Sequence, residues 1–258
     1  MYKKIAYVFT GRTGSTAMFK SYRNYPDDFI VEGEFIAGIA KSFRKPEGNK
    51  TYDGVESAWA AQRAKIVDLF EGGPDDPRAR IFKTKLQDVL DVDGFRSLLE
   101  DSGAHVVACW RENIVKYVIS TIRAQKLREK VDAAGMGTES FPSNYTTKMK
   151  DRGIEPVSAV HVEPDFLMKR LRAAERARDN VKSFAEAVNA PVLAMPYEDY
   201  VADLQQGLDR IRDFTGTPTV RLSGKIIKHT PDDLEQAISN YAEIRDVLSG
   251  TRFEGYLA

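Results

Sequence analysis

The sequence has little cysteine and histidine, with one cysteine, Cys109, and three histidines among 258 residues. A lone cysteine excludes an intramolecular disulfide, and with so few histidines we expect no Cys/His zinc site and no bound metal. No apolar run approaches the ~20 residues of a membrane-spanning helix, and the N-terminal MYKKIAYVFTG indicates a strand and not a signal peptide. We therefore expect a cytoplasmic protein with no membrane partner.

The chain also lacks an excess of either charge, because 38 basic and 38 acidic residues give a formal net charge of zero. This balance does not favour nucleic acid as a partner. The length is sufficient to bury a full core in one α/β domain or in two small ones. Since no repeat, low-complexity tract or clear boundary divides the sequence, we predict a single domain over 1–258. The oligomeric state stays open.

The first part of the chain combines a β-rich segment, a glycine turn and a helical pattern. Lys4–Thr10 (KIAYVFT) is apolar, and after Gly14 the spacing of Met18, Phe19 and Tyr22 is helical. Backbone amides at a helix start lack intrahelical partners and lie at the positive end of the helix dipole, so a phosphate can bind there. The simpler alternative is that Ser15 or Thr16 is an ordinary N-cap of the helix. The candidate binding residues are Arg12, Thr13, Gly14, Ser15, Thr16 and Ala17.

This turn is missing the lysine of a nucleotide triphosphatase P-loop. Phe9 stands where the pattern GxxxxGK[ST] has its first glycine, and Ser15 stands where the pattern has its lysine. Arg12 lies instead at the rim of the turn, where a guanidinium suits a terminal phosphate. A P-loop-type small-molecule kinase is therefore an alternative and not our first interpretation.

Two later segments have the composition of buried parallel strands. Arg80–Leu86 carries Lys83 and Lys85 on one side of an alternating pattern, so the two charges must lie at a strand end or face a bound anion, unless they are solvated edge lysines. His105–Trp110 is nearly continuous in apolar residues, and Arg111 follows at the end where open α/β sheets bind ligands. With the intervening helical patterns, these segments predict an α/β fold with a parallel sheet of about four or five strands flanked by helices.

The turn RTGST (Arg12–Thr16) resembles the 5'-phosphosulfate loop of the sulfotransferases, which reads close to RSGST in Golgi and bacterial members. Arg111 and Ser120 match the 3'-phosphate signature of the same family, and Tyr197 and Thr230 match positions beside the adenine. The resemblance implies a P-loop-like sulfotransferase fold with 3'-phosphoadenosine 5'-phosphosulfate (PAPS) as co-substrate. The products would be 3'-phosphoadenosine 5'-phosphate (PAP) and a sulfated acceptor, either a small molecule or a carbohydrate.

Glu34 and Lys83 are the catalytic residues that this resemblance implies. Cytosolic members have KTH where this chain has KTK, so Lys85 replaces the histidine that serves as base. Gly33 and Glu34 match a Gly-Glu pair of bacterial members, which makes Glu34 the candidate base for the acceptor hydroxyl, with Lys83 near the transferring group. Glu32 and a deprotonated Lys85 are the alternatives.

The C-terminal half departs from the family pattern in two places. Residues 126–162 show no sustained period, and we predict an acceptor-side insertion or lid there, with Phe141, Asn144 and Tyr145 as candidate lining residues. The family's RKG loop is absent, and Arg252 is the only substitute. Thr230 has a second interpretation as an N-cap, with Pro231 at N1 and Asp233 at N3. A catalytically inactive nucleotide-binding protein stays a further alternative.

Overall fold

The computed structural model describes residues 2–46, 51–73, 75–135, 150–223 and 233–257. Its strands are β1 (Lys4–Phe9), β2 (Phe29–Glu32), β3 (Ala79–Lys85), β4 (His105–Trp110) and β5 (Val192–Pro196). The helices named below are α1 (Ser15–Tyr22), α2 (Ala37–Phe43), α3 (Val55–Glu71), α4 (Val92–Asp101), α5 (Ile114–Ala133), α6 (Pro164–Ala187), α7 (Leu204–Thr215), α8 (Leu234–Ala237) and α9 (Tyr241–Leu248). No helix within these ranges is both long and apolar enough to cross a membrane.

The five strands form one parallel sheet in the order β2-β3-β1-β4-β5. In the centre, Val8 of β1 lies opposite Thr84 of β3 on one side and Ala108 of β4 on the other. The predicted α/β class and parallel sheet are confirmed. Because β2 and β3 lie on one side of β1 and β4 and β5 on the other, the carboxyl end of β1 is a topological switch point, where open α/β sheets bind ligands.

Alternating side chains of the central strands enter two apolar cores, one on each face of the sheet. Tyr7 and Phe9 of β1 pack towards α1 and α7, whereas Ala6 and Val8 pack towards α3, α4 and the C-terminal part of α6. Burial on both faces explains why β1 and β4 are nearly continuous in apolar residues. These cores fix α1, and with it the turn after β1, against the sheet.

The described residues cluster into two compact units. The first, Met1–Glu112 with Ala177–Ser223, contains the sheet and both of its cores. The second, Asn113–Arg176 with Gly224–Ala258, has an apolar core that includes Ile119, Leu167 and Phe253. A single functional domain over 1–258 stays a prediction.

Three elements differ from the sequence expectation. Residues 29–32 form the short strand β2, although the sequence there, a turn-rich YRNYPDDF followed by the acidic IVEGEF, predicts no strand. Helix α5 continues to Ala133, so the interval 126–162 begins inside a helix. The resemblance implies that the segment YED opens a helix, but these residues, Tyr197–Asp199, form a 3₁₀ turn. The following helix α7 begins only at Leu204 because the Asp203 side chain caps it by accepting from the amide of Gln205.

Several C-terminal expectations fall partly or wholly outside the described residues. Phe141, Asn144, Tyr145 and Thr230 lie in ranges that the structure does not describe. Asp233, expected at the third helical position, is instead the N-cap of α8, because its side chain accepts from the amide of Glu235. The role of residues 126–162 as an acceptor-side insertion stays a prediction.

Substitution of Phe82 tests how strongly the stability of the protein depends on one of the two cores of the sheet. Its side chain is 0% exposed, and its ring lies 5.4 Å from that of Phe35 and 5.6 Å from that of Phe70. We expect Phe82→Ala to lower the free energy of unfolding by about 3–5 kcal/mol, because apolar burial is lost and a cavity remains. Urea denaturation measures the change, and Phe166→Ala, at a side chain 45% exposed, is the matched control. Equal losses in the two variants would contradict this assignment of the core.

Candidate functional site

The turn between β1 and α1 has an unusual backbone. Gly11, Arg12 and Gly14 have φ angles of 93°, 54° and 69°. Within the described ranges, Arg12 is the one non-glycine residue with positive φ, a conformation that costs energy and that clusters at functional sites. Gly14 is the N-cap of α1 and supplies no side-chain cap. The simpler alternative, a capping hydroxyl from Ser15 or Thr16, is therefore wrong.

The turn presents hydrogen-bond donors that the fold itself does not use. No hydrogen bond of the described residues has the amide of Gly14, Ser15 or Thr16 as its donor. The Thr13 hydroxyl is buried and has no partner among the same residues. Unused amides at a helix start suit an anion such as a phosphate, whereas the Thr13 side chain lies beside Tyr7 and Cys109.

Lys83, the third residue from the end of β3, reaches this turn. Its amine lies 3.5 Å from the Ser15 hydroxyl and 3.4 Å from the Thr16 hydroxyl, and the residue is only 6% exposed. The interpretation as a solvated edge lysine is therefore wrong for Lys83. The register of the sheet explains the approach, because Lys83 and Lys85 pair with Tyr7 and Phe9 at the end of β1, directly before the turn.

Burial dominates the protonation of Lys83. The pKa of its amine is lowered from 10.5 to about 8, mainly by desolvation; the Glu34 carboxylate opposes the shift, and the positive charges of Lys85 and Arg23 add to it. The amine also lies 5.5 Å from the ring centroid of Phe9 and 5.4 Å from that of Phe19, an arrangement that favours the protonated form. At neutral pH this amine is a mostly charged, poorly hydrated cation beside the turn with the unused amides.

Glu34 lies between the two lysines of β3. One carboxylate oxygen, Oε2, is 2.5 Å from the Lys85 amine, and the other, Oε1, is 3.8 Å from the Lys83 amine. The Glu34 side chain is 30% exposed, so a molecule from solvent can reach it. Glu32 is exposed at the end of β2 and forms no ion pair with any described residue. Of the two acidic candidates, Glu34 is therefore the one that lies at the lysine pair.

Arg111 and Tyr197 lie together at the carboxyl ends of β4 and β5. The Arg111 guanidinium carbon is 4.9 Å from the centre of the Tyr197 ring, and its Nε is 3.8 Å from a carboxylate oxygen of Glu198. A Cβ atom placed on Gly14 would lie 3.9 Å from Cε2 of Tyr197, so the ring adjoins the turn after β1. Tyr197 is half-buried and belongs to the rim of the site more than to the core.

Two other candidates belong to the second unit, and a third lies outside the described residues. Ser120 is buried in α5 of the second unit, and Thr230 lies outside the described residues. Arg252 of the second unit pairs with Glu175, with Nη2 2.5 Å from Oε2. The other candidates lie together in the first unit, at the carboxyl ends of the strands. They are Arg12, Thr13, Gly14, Ser15, Thr16, Ala17, Glu34, Lys83, Arg111 and Tyr197. Their roles stay predictions.

Two residues near the site escaped the sequence analysis. The Tyr200 hydroxyl donates to the carbonyl oxygen of Thr13 over 2.8 Å, beneath the turn. The Arg23 guanidinium lies 3.3 Å from the position that a Cβ of Gly33 would take, next to Glu34. Neither contact has a local sequence signal. Tyr200 and Thr13 are 187 positions apart along the chain, and Arg23 follows α1 whereas Gly33 follows β2.

The chain is similar to solved structures of sulfotransferases. A sulfotransferase from Alicyclobacillus acidocaldarius shares 15% identity at a TM-score of 0.42, over 100% of this chain and 96% of that chain. The sulfotransferase domain from the curacin biosynthetic pathway shares 17% identity at a TM-score of 0.41, over 84% of this chain and 75% of that chain. No protein-family model and no curated protein matches the chain. Since these identities and TM-scores are low, we draw no functional conclusion from them.

The lowered pKa of Lys83 predicts a pH-dependent stability. In the unfolded chain the pKa of the amine is near its ordinary value of 10.5, and in the folded chain it is about 8, so between these values the unfolded chain binds more protons. Wild-type stability should therefore rise with pH relative to Lys83→Met, by about 2 kcal/mol between pH ~8 and ~10.

Urea denaturation across this range measures the difference between wild type and variant. Phe166→Ala removes no titrating group and is the control, whose difference from wild type should not change with pH. A constant difference for Lys83→Met as well would show that the Lys83 amine is not desolvated in the folded protein.

Proposed function

We propose that this protein is a PAPS-dependent sulfotransferase that moves the sulfuryl group to a hydroxyl of an unidentified acceptor and releases PAP. The observation that carries the proposal is the position of the Lys83 amine. It lies within 3.5 Å of both hydroxyls of the anion-binding turn and 3.8 Å from the Glu34 carboxylate. A phosphate-binding turn, a buried cation and an accessible carboxylate are the groups that sulfuryl transfer to an alcohol requires.

The proposed reaction is an in-line displacement at sulfur. The acceptor oxygen attacks the sulfur atom while its proton passes to the Glu34 carboxylate. The bond between sulfur and the bridging oxygen of PAPS breaks, and PAP departs with the electron pair of that bond. Lys83 stabilises the charge that develops on the bridging oxygen, because a cation in a poorly hydrated site interacts strongly with such charge.

Lys85 has a supporting role in this proposal. Its amine is the closer of the two to Glu34, at 2.5 Å, and therefore holds one carboxylate oxygen while the other faces Lys83. A protonated amine cannot accept the proton of the acceptor, so the carboxylate serves as base where cytosolic relatives of this fold would use histidine. The second acidic candidate, Glu32, is exposed and apart from the lysine pair.

The nucleotide would be held at both of its ends. We assign the 5'-phosphate to Arg12 and the residues of the turn, whose amides are available as donors. Arg111 and Ser120 are assigned to the 3'-phosphate on the sequence resemblance. Tyr197, whose ring already packs beside the Arg111 guanidinium, offers an aromatic face for the adenine.

The first test is nucleotide binding without metal. We expect calorimetry to detect PAP binding in EDTA, with no strengthening by Mg²⁺, because protein donors alone hold the phosphates. Arg12→Asn should weaken PAP about 10- to 100-fold, since a charge-assisted contact is lost while Asn tolerates the left-handed backbone at this position.

Lys20→Asn is the matched control, because it removes a cation from an exposed position of α1. Its PAP affinity should equal that of the wild type. A strict requirement for Mg²⁺, or a preference for ATP over PAP, would support the alternative of a P-loop-type kinase. Binding of PAP without turnover of any acceptor would support a non-catalytic nucleotide-binding protein.

The second test concerns the base. Glu34→Gln should keep PAP affinity nearly unchanged and lower turnover by about 10²-fold or more, the range expected when a general base is removed. Turnover is measured with labelled PAPS and an acceptor found by screening. Glu32→Gln is the matched control and should keep wild-type turnover. If Glu34→Gln stays fully active while Glu32→Gln or Lys85→Met is inactive, the base assignment is wrong even though the class of enzyme can stand.

A further inference from the structure

A buried cluster of three polar side chains lies directly beneath the anion-binding turn. The Tyr200 hydroxyl is 2.8 Å from the carbonyl oxygen of Thr13, 2.7 Å from the sulfur of Cys109 and 3.4 Å from the hydroxyl of Tyr7. Tyr7, Cys109 and Tyr200 are each 0% exposed. The proposed transfer reaction uses none of these three groups.

The direction of the hydrogen bonds in this cluster follows from the chemistry of the groups. A carbonyl oxygen can only accept, so the single hydroxyl proton of Tyr200 is donated to Thr13. The Tyr200 oxygen then accepts from the Cys109 thiol, whereas the single proton of the Tyr7 hydroxyl has two acceptors within reach, the Tyr200 oxygen and the Met18 sulfur at 4.0 Å. Tyr200 is thus the one member of the cluster that hydrogen-bonds to the backbone of the turn.

The bond to Thr13 also fixes the neighbouring amide. The peptide unit between Thr13 and Gly14 is planar and trans, so its carbonyl and its N–H point in opposite directions. With the carbonyl held down on Tyr200, the Gly14 amide must point away from the cluster. Within the described part of the chain, this amide has no acceptor.

Burial keeps the cluster uncharged. It raises the pKa of the Cys109 thiol to about 11, and it raises the pKa values of the Tyr7 and Tyr200 hydroxyls well above their usual value. A thiolate or phenolate at this depth would repel an anion in the turn above it. The cluster therefore supplies a hydrogen bond to the loop without adding a negative charge.

We propose that Tyr200 is a positioning residue of the phosphate-binding turn, which presets the Gly14 amide for the 5'-phosphate by holding the Thr13 carbonyl. This inference rests on the proposed function. The packing around Tyr200 indicates a fixed ring. A Cβ on Gly207 of α7 would lie 3.1 Å from Cδ2 of Tyr200 and 2.4 Å from Cε of Met18. The space that a side chain at position 207 would need is filled by the Tyr200 ring and the Met18 side chain.

The experiment compares Tyr200→Phe with Tyr7→Phe, two variants that each remove one hydroxyl from the same buried cluster. We expect Tyr200→Phe to weaken PAP binding about 5- to 10-fold by calorimetry, because the carbonyl loses its donor and the amide its fixed direction. Tyr7→Phe should bind PAP as the wild type does. Hydrogen exchange of the amides in residues 13–17, measured by mass spectrometry without ligand, should be faster in Tyr200→Phe only.

A second variant covers the case in which Tyr200→Phe does not fold. Gly207→Ala keeps the Tyr200 hydroxyl but crowds its ring, and we expect weaker PAP binding together with faster exchange of the same amides. Wild-type PAP affinity in a folded Tyr200→Phe or Gly207→Ala protein, with unchanged exchange, would overturn the inference and leave the proposed function standing. No PAP binding by the wild type would instead overturn the proposed function, and the inference with it.

Discussion

The desolvated amine of Lys83 is the constraint on which the rest of the site depends. A buried ammonium group is costly unless polar partners and negative charge surround it. Two hydroxyls at the start of α1 and the Glu34 carboxylate supply part of this environment, at 3.4–3.8 Å. None of these distances is that of a strong ion pair, so the cation keeps capacity for a further anion. A sheet whose third strand ends beneath the first helix makes this arrangement possible.

The parts of this site that could be predicted are those with a local signal. Apolar runs predicted β1, β3 and β4, and the alternation of β3 placed Lys83 and Lys85 on one side. The glycine turn after β1 was visible because it follows a strand and precedes a helical spacing. In each case the signal lies within about ten neighbouring residues, a length over which the periods of strand and helix can be recognised.

The parts that could not be predicted depend on contacts between distant segments. Strand β2 has only four residues, too few for alternation to show, and its pairing with β3 decides where Glu34 lies. Tyr200 follows β5 in sequence but reaches Thr13, 187 positions earlier. Tertiary pairing, and not local propensity, settled these elements.

The two sides of the turn have complementary electrostatics. Beneath it, burial keeps Tyr7, Cys109 and Tyr200 protonated and therefore neutral. Beside it, burial lowers the pKa of the Lys83 amine, because desolvation favours the neutral form of a base just as it favours the neutral form of an acid. The amine nevertheless stays mostly charged at neutral pH, since its pKa falls only to about 8. The cluster below the turn thus carries no negative charge and the amine next to the turn carries a positive charge, which is the polarity that an anion needs.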